Sequence, residues 1–139
     1  MTDLRQTVLD LYAAFGRGDV PAILAMLADD VAWEAWADNR AATAGVPWLQ
    51  PRQGKAGAAG FFQDLAASFE IHEFQVLAVM PGETQVAAEF VLDATVRATG
   101  RRFRDEEVHM WTFNAGGKVV RLRHYADTAK HIWAAGLSA

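Results

Sequence analysis

Residues 99–129 read TGRRFRDEEVHMWTFNAGGKVVRLRHYADTA, and the period of their side chains decides the fold. Phe103 to Phe113 forms a strand, with His109 and Phe113 on one face and Trp111 between them. Asn114 to Gly117 supplies a turn, and Lys118 to Ala126 returns with Leu122, His124 and Ala126 sharing a face. If that turn pairs Phe113 near Val120, Trp111 meets Leu122 and His109 meets His124, with Cβ atoms ~5 Å apart. A one-residue slip would send one histidine outward. Asp127-Thr128 is then an ordinary N-cap for a last short helix, Ala129 to Ala135.

Upstream, the same period of two continues. A long strand runs from about Gln85 to Ala98 and turns at Thr99-Gly100-Arg101. Before it, Phe74, Val76, Ala78 and Met80 share a face and lead into the turn Pro81-Gly82-Glu83. The N-terminal half is helical instead. Leu4, Val8, Leu11, Tyr12 and Phe15 fall on one helix face, with Asp3 as N-cap and Gly16 and Gly18 as the stop. Asp19 caps a shorter helix with Pro21 in its first turn, buried through Ile23, Leu24 and Leu27 and ended at Asp29-Asp30. Val31 to Trp36 alternates as a strand, with Val31, Trp33 and Ala35 on one face. Residues 37–53 carry Gly45, Pro47 and Pro51 without a clear period and read as a long loop. Phe61, Phe62, Leu65, Ala66 and Phe69 then mark a third helix. The order predicts an α+β fold, a curved, mainly antiparallel sheet with helices on one face, in one domain over 1–139.

Composition narrows the function. The 139 residues carry a net charge of -4, which argues against a nucleic-acid partner. No cysteine is present, so disulfides, thiolate nucleophiles and cysteine-held zinc are excluded. Neither a leader-like start nor a membrane-length apolar run is seen, and a cytoplasmic location without membrane partners is expected. Arg97, Arg101, Arg102 and Arg104, with Asp105 and Glu106 beside them, read as a solvated rim.

Three stretches carry a resemblance: YAAFGRGDVPAILAMLADDVAWE, GKAGAAGFFQDL and the terminal strands quoted above. The chain resembles the SnoaL-like and ketosteroid-isomerase-like branch of the NTF2-like superfamily. That resemblance implies a cone-shaped sheet wrapped around the N-terminal and middle helices, a cystatin-like α+β roll. It also implies an apolar cavity at the wide end with polar groups deep inside, and a homodimer packed through the sheet. Ketosteroid isomerases use an aspartate base with a tyrosine and a protonated aspartic acid. On the matching positions these fall at Ala35, Leu11 (with Tyr12 one step round the helix) and His109, so steroid isomerase chemistry by that mechanism is not expected. The aspartate of the polyketide-cyclase branch falls at His124, and its partner position at His109.

The candidate chemistry follows. Two imidazoles so close disfavour double protonation, which leaves one neutral and able to act as a base. Glu107 shares the face of His109 and can orient or protonate it. The catalytic candidates are therefore His109, His124 and Glu107, with an alternative in which the histidines are a hydrogen-bonded pair that only orients a ligand. Trp33, Trp111, Phe62, Leu92, Leu122 and Tyr12 are expected along an apolar ligand wall, although each also reads as core packing. Trp36 and Trp48 are placed over the pocket mouth, or pin the loop to the domain. His72 and His131 have no evident partner. His109, His124 and Glu107 are a conceivable metal set, but no local ligand motif supports it, and neither metal nor cofactor is expected. The expected function is cofactor-independent isomerisation, aldol cyclisation or dehydration of an apolar carbonyl compound. A hydrophobic-ligand binding module and a protein-interaction domain remain the alternatives.

Overall fold

A computed structural model of the chain describes residues 3–34, 36 and 38–138. Ala35, the position matching the isomerase base, lies outside the described residues. Among them, no helix is long and apolar enough to cross a membrane.

Helix α1 spans Leu4–Gly16, and Asp3 caps it by accepting from the Gln6 amide at 3.1 Å. Helix α2, Val20–Ala25, is capped by Asp19 and has proline in its first turn, where a missing N–H costs nothing. It is shorter than predicted. Leu27 already belongs to strand β1, Leu27–Trp33, so Asp29 and Asp30 are strand residues on the solvent side. Of the stretch 37–53 read as a loop, the described residues 38–53 are not one irregular loop. They hold helix α3 (Arg40–Ala44), a 3-10 turn at Pro47–Leu49 and strand β2 (Arg52–Gln53), pieces too short to display a period. Helix α4, Gly54–Ser68, is followed without a break by strand β3, Phe69–Pro81, so Phe69 and His72 are strand residues. Strands β4 (Gln85–Val96), β5 (Arg102–Phe113) and β6 (Val119–Tyr125) complete the sheet, and helix α5 spans Thr128–Ala134.

The six strands lie in the order β2-β1-β6-β5-β4-β3. All pairs are antiparallel except β1 with β6. Register shifts in the β3/β4 pair, at Ile71/Glu73 and Val76/Ala78, insert extra residues that bend a sheet. The concave face receives α1, α2 and α4 through Val8, Leu11, Ile23, Ala58 and Phe61, which pack with Val31, Trp33 and Trp111 of the strands. A second apolar cluster joins α3, the 3-10 turn and α5 to the other end of β4 and β5, around Phe90, Phe103 and Ile132. Burial of a side chain such as Phe90, 1% exposed, contributes about 1.5–3 kcal/mol. This is the α+β roll expected from the sequence, an open curved sheet with helices packed on it.

Candidate active site

Strand β5 places Asp105, Glu107, His109, Trp111 and Phe113 on one face by its period of two, and that face is concave. Strand β6 pairs with it so that His109 stands opposite His124 and Trp111 opposite Leu122, while a shift at Thr112 brings Phe113 to Val119 rather than Val120. The two imidazole centroids are 4.6 Å apart. Both rings line a cavity of about 70 Å³ together with Trp33, Trp111, Phe62, Leu92, Leu122 and Tyr12.

His109 meets the α1 face through Tyr12, whose hydroxyl lies 2.7 Å from His109 Nδ1. Trp111 Nε1 donates to the same hydroxyl at 3.1 Å. Burial raises the Tyr12 phenol well above its usual range, only partly offset by Trp111, so it keeps its proton. Burial, then the charge of His124, hold His109 well below an ordinary imidazole. The ring is neutral, half-buried, and its Nε2 has no hydrogen-bond partner among the described residues.

His124 is the opposite case. Its Nδ1 is 3.0 Å from Glu34 Oε1 and its Nε2 is 2.6 Å from Glu107 Oε1. Burial disfavours its charge, but the two carboxylates outweigh burial and hold the ring well above an ordinary imidazole. Burial alone would raise Glu107 as well. The charge of His124, with N–H bonds from His124 and His131, reverses this and holds the carboxyl well below its usual range. The site thus sets a histidine held toward its neutral form 4.6 Å from one held toward its charged form, the two rings tilted by 60°.

Glu34 did not stand out in the sequence because strand alternation turns it away from Trp33. The backbone there adopts φ 54, a left-handed conformation uncommon for a residue with a Cβ, and this swings the carboxylate inward until it is 5% exposed. Two further residues depart from the sequence reading. Asp105 is no rim residue: it is 3% exposed, accepts the Asp127 amide at 3.1 Å and contacts His131 Nε2 at 3.1 Å. Burial pushes its carboxyl up, with Glu107 adding to the rise and His131 opposing it. His131, from α5, is fully buried; its Nε2 is 2.6 Å from Glu107 Oε2 and its Nδ1 accepts from Trp48 Nε1 at 2.8 Å.

Trp48 is therefore no lid over the mouth; it is 3% exposed and fixed from inside, although its ring does border the cavity. Trp36 does not line the cavity and packs against Tyr125 at 5.2 Å between ring centroids. Asp127 caps α5, as expected, by accepting from Lys130 N. Arg102 and Arg104 do form the exposed rim, paired with Asp93 and Glu73. His72, on the outer side of β3, has Thr95 as its partner at 2.7 Å.

Asp105, Glu107 and His131 bring one possible ligand atom each to within 4.8 Å of one another. A cation there would need the lone pair of His131 Nε2. Because Nδ1 accepts from the indole N–H, the ring's proton sits on Nε2, and that lone pair is already used. The trio fits a proton-bridged group and not a metal site.

A model of the SnoaL-like domain matches residues 8–122. Several solved structures are similar. An NTF2-like protein from Burkholderia thailandensis shares 24% identity at a TM-score of 0.82, over 96% of this chain and 98% of that one. Another, from Burkholderia xenovorans, shares 29% at 0.74, over 97% and 98%. A protein named as a SnoaL-like polyketide cyclase, from Mesorhizobium loti, shares 25% at 0.69, over 89% and 99%. Comparison with curated proteins finds no match.

Proposed function

The chain belongs to the SnoaL-like family, and we propose that it performs cofactor-independent acid/base catalysis on a small apolar carbonyl compound. One arrangement carries the reading: in an aromatic-lined cavity, an imidazole held toward its neutral form, with Nε2 unpartnered among the described residues, lies 4.6 Å from one that two carboxylates hold toward its charged form. Pairs of titratable groups whose environments push them to opposite protonation states are how acid and base roles are divided at neutral pH.

The hydrogen bonds divide the roles further. Both N–H groups of His124 are held by carboxylates, so it acts as a fixed positive charge and not as a mobile acid. His109 is the base. With its proton on Nδ1 it donates to Tyr12, whose oxygen then accepts two bonds, from His109 and Trp111. The phenol O–H is left to donate to a ligand's carbonyl oxygen. His109 Nε2 takes a proton from the carbon beside the carbonyl, and the C–H electron pair moves to an enolate whose oxygen Tyr12 bonds. Charge on that enolate is opposed by the His124 cation. Return of the proton to another carbon is isomerisation, attack on a second carbonyl is aldol cyclisation, and loss of a β-oxygen is dehydration.

The cavity of about 70 Å³ is well below the ~300 Å³ at the low end of drug-sized ligand sites, which favours a substrate smaller than a steroid. The saturation of His124 also suits a second reading, a pocket that binds such a compound without turnover. Deuterium uptake separates the two. A panel of small aryl and cyclic ketones is incubated with the protein in D₂O and followed by NMR. We expect protein-dependent exchange at the α-carbon for at least one ketone, reduced roughly 10²–10⁴-fold in His109→Gln. Ketones that bind without exchange, or exchange equal in His109→Gln, would overturn the catalytic reading.

A further inference from the structure

Glu107 lies between two buried imidazoles. One oxygen is 2.6 Å from His124 Nε2 and the other 2.6 Å from His131 Nε2. A single carboxylate supports one adjacent imidazolium far better than two, because the second positive charge repels the first. The axis His124–Glu107–His131 therefore offers two homes for one extra proton, and only one of them faces His109.

Burial disfavours a charge on His131. Its hydrogen bonds to Asp105 and Glu107 outweigh burial and by themselves raise the ring above an ordinary imidazole, so the contact at Nδ1 is left to oppose a second proton. From β5 the ring faces two carboxylates, Glu107 at 2.6 Å and Asp105 at 3.1 Å. Against these stand Lys130 on α5, 3.9 Å from Asp105, and the His124 cation of β6 beyond Glu107. Phe69 of β3 and Phe103 of β5 bring no charge, packing with Trp48 and His131. The remaining neighbour decides the matter. Trp48, 83 positions away in sequence, donates its indole N–H to His131 Nδ1 at 2.8 Å. An indole nitrogen is a donor only and cannot turn to accept. A second proton on His131 would have to sit on Nδ1, N–H against N–H, on a ring that is 0% exposed. Trp48 cannot swing aside easily, since it is 3% exposed and its ring lies 4.6 Å from that of Phe69.

We propose that Trp48 is a positioning residue whose N–H locks His131 in its neutral, Nε2-protonated form and thereby reserves the charge of Glu107 for His124. Its catalytic meaning rests on the function proposed above, but the proton assignment does not. The 3-10 turn at Pro47–Leu49 and helix α5, neither of which holds the base, together determine which histidine is charged.

The experiment is ¹⁵N NMR of the histidine rings in the full chain over about pH 5 to 9, a window centred near the free imidazole value. It compares wild type with Trp48→Phe, His131→Phe and the double variant. In the wild type, His131 is expected to carry one proton throughout and His124 two at neutral pH. Trp48→Phe keeps an aromatic ring but removes the N–H. His131 should then acquire a second proton, and the proton affinity of His124 should fall at least roughly tenfold. His131→Phe alone should leave His124 doubly protonated, since Glu107 then serves one ring. The double variant should restore His124 to near its wild-type behaviour. A purely structural role for Trp48 makes the opposite demand, that the second lesion add to the first. Unchanged rings in Trp48→Phe, a loss at His124 that persists in the double variant, or a fall at His124 in His131→Phe would each overturn the proposal. The readout is ring protonation, so this outcome is independent of whether any ketone is turned over.

Discussion

Glu34→Gln isolates the electrostatic device at the centre of the site. The glutamine keeps the shape and an acceptor oxygen 3.0 Å from His124 Nδ1 and removes only the charge. The positive φ of residue 34 is common to both proteins and cancels from the comparison. Neither Glu34 nor Glu107 is more than 5% exposed, so solvent screens their pull on His124 little. At about 4 Å between charge centres and an effective dielectric constant near 20, one carboxylate contributes about 4 kcal/mol of attraction. Release of the proton from His124 limits the loss, leaving an expected destabilisation of about 2–4 kcal/mol near neutral pH.

The pH dependence gives the sign. The folded-state proton affinity of His124 is raised, so its contribution is fully present below the unfolded imidazole value and is lost as pH rises through the folded one. The variant's deficit should therefore be largest at mildly acidic and neutral pH. It should shrink, and then reverse, at alkaline pH, where a buried Glu34 without its cation is a liability that glutamine lacks. Urea denaturation followed by the fluorescence of the five tryptophans, from pH 6 upward, measures this directly. A deficit that does not vary with pH, or none at all, would refute the assignment of a cation to His124.

Three further outcomes are expected. His109 is held neutral when folded, so its contribution is present above the unfolded imidazole value and is lost as pH falls through that value toward the lower folded one; His109→Gln should flatten the acid limb of the stability–pH curve. Asp127→Ala removes the cap of α5 and should cost about 1 kcal/mol in denaturant melts, with a shift in the His131 ring signal because α5 carries that ring. Phe90→Ala, which strips a ring lying 4.3 Å from His109, should cost about 3–5 kcal/mol and open room beside the base, detectable as binding of a larger ketone by tryptophan quenching.

Much of the fold is legible in the chain because its signals are local. Alternation marks β3 to β6, apolar spacing marks α1 and α4, and the Asn114–Gly117 turn with side-chain parity brings His109 against His124. The face of β5 that carries Glu107 and His109 extends one alternate position further than the sequence reading took it. Asp105 shares the parity of Glu107 and His109, but the adjacent arginines suggested solvent, and only α5 packing over β5 buries it. Glu34 carries no such signal. Its inward turn comes from a left-handed backbone that opposes the strand period, a conformation that tertiary structure imposes. His131 is equally silent, because its partners come from a distant strand and a short turn with too few residues to show periodicity. Recognition of the SnoaL-like family places the sheet and the cavity, but the division of charge among the histidines depends on contacts that family membership does not specify.

The most direct test of the central claim is the ring protonation of His109 and His124 in the wild-type protein at neutral pH, read from their ¹⁵N shifts and assigned by single substitutions. The account requires two protons on His124 and one on His109. A cationic His109, or two neutral rings, would remove the base-and-cation pair on which the proposed chemistry depends.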